Sequence, residues 1–85
     1  MAKVTIYTRP LCGYCSRAVS LLKKKGADLE EINAGFDANK RAEMVKRSNG
    51  GRTFPQIFIG DEHIGGCDEM MRLERAGQLD AMLSA

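Results

Sequence analysis

Long apolar runs are missing from this 85-residue chain, and with them any stretch able to cross a bilayer as a helix. A basic run interleaved with aromatic residues is missing as well. The formal net charge is only +2, too small an excess to argue for the phosphate backbone of a nucleic acid. It leaves a mild preference for anionic small partners. Met1-Ala2-Lys3 leads directly into alternating residues rather than an apolar h-region, so no secretory signal is expected. Cysteine is scarce and odd in number, three in all. An odd count argues against a secreted disulfide framework and for reactive or metal-bound thiols in a reducing compartment, and the expected location is cytoplasmic. Repeats, linkers and low-complexity tracts are absent too. What remains, 44% apolar and 28% charged residues, is ordinary globular composition. The length suits one domain over residues 1–85, able to bury roughly 60–65% of its unfolded surface.

The chemistry is concentrated in Cys12-Gly13-Tyr14-Cys15. An alternating segment, residues 3–8, precedes it and reads as a strand; Cys15, Ala18, Val19 and Leu22 follow at helical spacing. Two thiols therefore stand at a strand-to-helix junction, where the first backbone N–H groups of the helix have no internal partner. Those groups and the helix dipole favour the thiolate of Cys12, just outside the helix. Cys15, one turn further in, is placed to close a small disulfide with it. The arrangement reads as a thiol–disulfide exchange centre.

Gly26 is the natural stop for this first helix, with Lys23–Lys25 read as its solvated end, and residues 27–33 form a second strand, completing a βαβ unit. Asp37 is expected to cap a second helix running to about Arg47, with Ala38, Ala42 and Val45 on its inner face. Gln56-Ile57-Phe58-Ile59 reads as a central strand, Gly60-Asp61 as a hairpin turn and Glu62-His63-Ile64 as an edge strand. Asp68 is expected to cap a last helix carrying Met70, Leu73 and Ala76, with a short helical turn after Gly77.

Three motifs in this order resemble the glutaredoxins of the small bacterial dithiol, glutaredoxin 3-like group: Tyr7-Thr8-Arg9 ahead of Cys12-Gly13-Tyr14-Cys15, then Thr53-Phe54-Pro55-Gln56-Ile57-Phe58-Ile59, then Gly65-Gly66-Cys67-Asp68-Glu69. The resemblance implies an α/β thioredoxin fold, a four-stranded mixed sheet with helices on both faces in the order βαβ–α–ββ–α. It also implies a cis Phe54–Pro55 peptide bond, leaving the Phe54 backbone free to pair with a cysteinyl peptide as a short added strand. Two departures stand out. The family usually has proline at the position of Gly13 and a small aliphatic residue at that of Phe54, and neither change removes a reacting group.

As implied by the resemblance, the activity is glutathione-dependent thiol–disulfide exchange on protein disulfides and glutathione mixed disulfides, with Cys12 as nucleophile and Cys15 as resolving thiol. Glutathione is the electron donor and no metal or organic cofactor is required. The glutathione site is expected from Arg9, Tyr14, Arg41, Thr53, Phe54, Pro55, Gly66, Cys67 and Asp68. Asp68 and the adjoining helix start suit the γ-glutamyl end, and Arg9 and Arg41 the glycine carboxylate. Cys67 itself reads as a small buried filler rather than a reactant. The expected partners are glutathione and disulfide-containing or glutathionylated proteins, and the expected state is a monomer. The alternative is an iron–sulfur carrier, a dimer holding a 2Fe-2S cluster through Cys12 and glutathione. A weaker one is a zinc site from Cys12, Cys15, His63 and Cys67.

Overall fold

The computed structural model of the chain describes residues 2–85; Met1, part of the lead-in to the first strand, lies outside the described residues. Eight elements follow one another: β1 (Lys3–Thr8), α1 (Gly13–Lys24), β2 (Asp28–Asn33), α2 (Ala38–Arg47), β3 (Gln56–Ile59), β4 (Glu62–Gly65), α3 (Cys67–Arg75) and α4 (Leu79–Ser84). The strands form one sheet in the order β2-β1-β3-β4, with β1 parallel to β2 and antiparallel to β3, and β3 antiparallel to β4. This is the thioredoxin-type α/β arrangement expected from the sequence.

Side-chain alternation on the two central strands decides which helix lies where. Val4 and Ile6 of β1, with Ile57 and Ile59 of β3, join Ala18 and Leu22 of α1, Met70 of α3 and Leu79 of α4 in one core cluster. Tyr7 and Phe58, pointing the other way, pack with Ala34 and Met44 in a second cluster under α2. Helices therefore cover both faces, and β1 and β3 carry apolar residues on both sides because neither side meets water.

Three local expectations need correction. On α2 the buried residue is Met44, while Ala38 and Ala42 are exposed and Val45 is only half-buried. Met44 is long enough to reach the Tyr7–Phe58 surface from a helix that stands off the sheet, and alanine is not. Secondly, Lys25 is not merely solvated: its Nζ bonds Glu74 at 2.9 Å and Asp80 at 2.6 Å, tying the end of α1 to α3 and α4. Thirdly, Asp68 does not cap α3. The N-cap is Gly66, whose N–H donates to Glu69 Oε1 at 2.7 Å, and Asp68 is the second residue of the helix. Asp37, by contrast, caps α2 as expected, accepting from the N–H groups of Asn39 and Lys40 at 3.0 Å each.

Candidate active site

The loop after β1 brings the thiols to the head of α1. Leu11 there adopts φ +56° with its side chain fully exposed, an unfavourable backbone region for a leucine. Cys12 is the N-cap of α1, and its Sγ accepts from the Cys15 N–H at 3.2 Å. The two sulfurs are bonded, with the Cα atoms 5.2 Å apart, inside the usual range for a disulfide. Gly13, where the related pattern has proline, opens the helix, and apart from its chain neighbours and its own helix backbone no atom lies within 4 Å of the place a Cβ would occupy. Bulk exposure does not single out Cys12, since it is 6% exposed against 4% for Cys15 and 5% for Cys67. Its distinction is electrostatic: a sulfur at the positive end of α1, facing an N–H with no helical partner of its own.

Cys67, the free cysteine, is the first residue of α3 and belongs to the core cluster beneath it. Burial pushes its thiol up from the ordinary value; Arg17 opposes the shift, and Asp68 and Glu69 add to it. A protonated, enclosed thiol is a poor nucleophile. The weaker alternative, the zinc set, is not gathered: among the described residues no three His, Cys, Asp or Glu side chains converge as metal ligands. His63 instead lies against Phe58, ring centroids 4.9 Å apart, and pairs with Gln56 Oε1 at 2.7 Å.

That pairing reaches the loop ahead of β3. Gln56 Nε2 donates to the Thr53 carbonyl at 2.9 Å and to Thr53 Oγ1 at 3.1 Å. The chain His63–Gln56–Thr53 thus fixes the segment leading into the Phe54–Pro55 bond, which is cis. Across from it, Gly66 allows α3 to begin close by, because a Cβ there would stand 3.3 Å from the Pro55 carbonyl oxygen. The sequence offers His63 only as a zinc ligand and Gln56 only as a strand residue. Their supporting role depends on β3 and β4 being paired, which no local pattern states.

Two neighbouring hollows take up the remaining residues. The first, of about 320 Å³, is lined by Tyr14, Thr53, Phe54, Pro55, Gly66, Cys67, Asp68 and Glu69. The second, of about 700 Å³, is lined by Arg9, Tyr14, Arg41, Arg52, Thr53 and Phe54. They share Tyr14, Thr53 and Phe54, so all nine residues expected at a glutathione site lie along one continuous depression. Arg52 is an addition: in the sequence it stands in a glycine-rich loop with nothing to mark it. Cys12 and Cys15 line a third hollow beside α1, with Arg9 common to it and the second. The thiols therefore sit at the rim of the depression rather than on its floor.

The chain has a dithiol at a helix start, beside a loop carrying cis-proline, on a sheet of order β2-β1-β3-β4, and the glutaredoxin family model matches residues 4–64. The chain belongs to the glutaredoxin family. It is 51% identical to a glutaredoxin of Pseudomonas aeruginosa over 85 residues, covering 100% of both chains. Identity to glutaredoxin 3 of Escherichia coli strain K12 is also 51%, over 98% of this chain and 99% of that one. The fold of a buckwheat glutaredoxin solved in complex with glutathione superposes with a TM-score of 0.84 at 36% identity, covering 95% of this chain and 76% of that one. Family and fold together make this glutaredoxin a thiol–disulfide oxidoreductase. Among its described residues no helix is long and apolar enough to cross a membrane.

Proposed function

We propose that the chain is a cytoplasmic, monomeric, glutathione-dependent oxidoreductase acting on glutathionylated and disulfide-bonded proteins, with Cys12 as nucleophile. The observation that carries this is the polarity of the depression beside the thiols. One end holds Asp68 and the start of α3, and the other holds Arg9, Arg41 and Arg52. Glutathione has matching ends. Its γ-glutamyl group carries an ammonium for Asp68 and a carboxylate for the free N–H groups of α3, and its glycine carboxylate suits the arginines. Tyr14, Thr53 and Phe54 lie between, where the cysteinyl part would pass.

The exchange then balances without an added cofactor. The Cys12 thiolate attacks the glutathione sulfur of a mixed disulfide; the Cys12–glutathione bond forms and the protein thiolate leaves. A second glutathione, as thiolate, attacks that adduct, releasing oxidised glutathione and restoring Cys12. With a protein disulfide the adduct is between Cys12 and the protein, and Cys15 can resolve it by closing the Cys12–Cys15 bond. Two glutathiones then reopen that bond. Cys15→Ser should therefore retain reduction of a glutathionylated peptide within about threefold and lose protein-disulfide reduction by about tenfold or more. Steady-state rates on both substrates test this, and equal loss on the two would contradict the monothiol route.

Asp68 separates ligand binding from folding more cleanly than a capping residue could. Since Gly66 and Glu69 make the cap, Asp68→Ala should cost only about 0.3–1 kcal/mol of stability, the value of a first-turn charge. Turnover at limiting glutathione should fall by about tenfold, with a smaller loss at saturation. A variant with an unchanged KM for glutathione would remove Asp68 from the site.

Gly13 supports a second reading, the cluster carrier. It keeps a peptide N–H one residue after Cys12 that proline would lack, and the space a side chain would fill is open, so a cluster sulfide could accept from it. Of the chain's own thiols, this reading uses Cys12, at the positive end of α1, and the other ligands would have to come from glutathione and a second copy. Anaerobic reconstitution with iron, sulfide and glutathione should give a coloured dimer. Gly13→Pro should stay a colourless monomer with thiol exchange largely intact. A colourless wild type removes this reading.

A further inference from the structure

The surface of α2 that the sequence assigned to the core is exposed at Ala38 and Ala42 and half-buried at Val45. Ala38, Ala42 and Val45, together with Arg41, Lys46 and Arg52, line a hollow of about 440 Å³ whose walls are mainly apolar. Arg41 and Arg52 are also walls of the second hollow described above, so the two hollows adjoin at these side chains. Across the two hollows the charged lining residues are Arg9, Arg41, Lys46 and Arg52, with no carboxylate. The hollows elsewhere on the described surface do contain acids: Glu31 beside α1, Asp68 and Glu69 at the start of α3, Glu62 and Glu69 by β4. The chain's small net charge thus hides a locally cationic trough with an apolar floor, leading to Tyr14 and the Cys12 loop.

We propose that this trough is a docking site for an extended, acidic segment of the disulfide-bearing protein, carrying carboxylates for Arg41, Lys46 and Arg52 and one apolar side chain for the floor at Ala38, Ala42 and Val45. The proposal rests on the protein-disulfide reading above, because the trough matters only if the partner's cysteine is delivered to Cys12. Glutathione is too short to use it: with its glycine carboxylate among the arginines, it ends where the α2 hollow begins. A protein segment passing Phe54 continues along it. Charge at such a rim acts mainly on the rate of encounter and on the choice between partners. The trough therefore sorts protein disulfides by the sequence around them and leaves small disulfides unsorted.

The test uses the whole chain and disulfide-cyclised peptides that share one loop and differ in a tail, Glu-Leu-Glu-Glu or Lys-Leu-Lys-Lys, placed before or after it. The wild type should favour the acidic tail over the basic one by roughly tenfold in kcat/KM at low ionic strength, in at least one placement, and the preference should shrink in high salt. Ala42→Glu combined with Lys46→Gln should reduce the preference to about twofold. Turnover of the cysteine–glutathione mixed disulfide should be unchanged, because neither residue lies in the glutathione depression. Lys46→Gln alone, the milder change, should give an intermediate preference. Equal rates on the two tails in the wild type, or an undiminished preference in the double variant, would overturn the proposal while leaving thiol exchange intact. A concentration-dependent dimer in sedimentation that the double variant abolishes would also overturn it, by assigning the trough to a second copy. Failure on the untailed peptide and the small mixed disulfide alike would instead remove the oxidoreductase reading, and this proposal with it.

Discussion

Cys12→Ser should reduce exchange to background with every disulfide offered, a loss on the order of a thousandfold or more, as expected when a covalent nucleophile is removed. Serine retains the geometry and loses the chemistry. Its Oγ can accept the Cys15 N–H that Cys12 Sγ accepts at 3.2 Å, and serine is among the better N-cap residues. The helix should therefore be as stable as in the reduced wild type, within about 0.5 kcal/mol. Neither other thiol can substitute. Cys15 sits inside the first turn of α1, and Cys67 is enclosed with its thiol pushed towards the protonated form. Rates with glutathionylated peptide and protein disulfide, alongside thermal melts under reducing conditions, check both halves. Substantial residual activity in a well-folded variant would place the nucleophile elsewhere.

Phe58→Ala should be the most damaging single change to the fold, costing about 3–5 kcal/mol. Phe58 is almost wholly buried on β3 and meets Tyr7 edge-on with ring centroids 5.7 Å apart. The guanidinium of Arg47 lies 4.5 Å from its ring centre, and His63 lies on another side. Arg47 also donates to the Tyr7 hydroxyl at 2.8 Å, and that hydroxyl donates to Glu43. Burial, then the Glu43 contact, pushes the Tyr7 hydroxyl up from its ordinary value against the pull of Arg47, so it remains a donor at neutral pH. Truncating Phe58 opens a cavity under this network and frees His63, and so loosens the hold of Gln56 on Thr53. For a domain of this size, with about 4–13 kcal/mol in total, chemical denaturation should show a sharply lowered midpoint. A loss below about 1 kcal/mol would mean that the α2 face contributes little to stability.

The central strands were legible from local pattern, alternation over residues 3–8 and the apolar run Ile57-Phe58-Ile59, and the dithiol was legible because its spacing and its place before a helix state its chemistry. The α2 face was misread for a physical reason. Alanine is a strong helix former at any position, so Ala38 and Ala42 fit a buried stripe and an exposed one equally well. Only the distance between α2 and the sheet selects Met44. Asp68 was misread because Gly66, without a side chain, gives no capping signal, and the side chain that closes the helix start belongs to Glu69. Arg52 has no local signal, and nothing local gives Gln56 and His63 their supporting role. Their places follow from the pairing of β3 with β4 and from the folding of residues 48–55 towards α2. The joining of distant residues into one depression is likewise a product of the sheet order, and the motifs predicted it only through resemblance.

The intact mass of Cys15→Ser after exposure to oxidised glutathione tests the central claim most directly. One glutathione should add, peptide mapping should place it on Cys12, and reduced glutathione should remove it. The wild type under the same treatment should lose two hydrogens and retain no adduct, because Cys15 displaces the glutathione as it closes the ring. An adduct on Cys67, or none on Cys12, would contradict the assignment of Cys12 as the thiol that exchanges with glutathione.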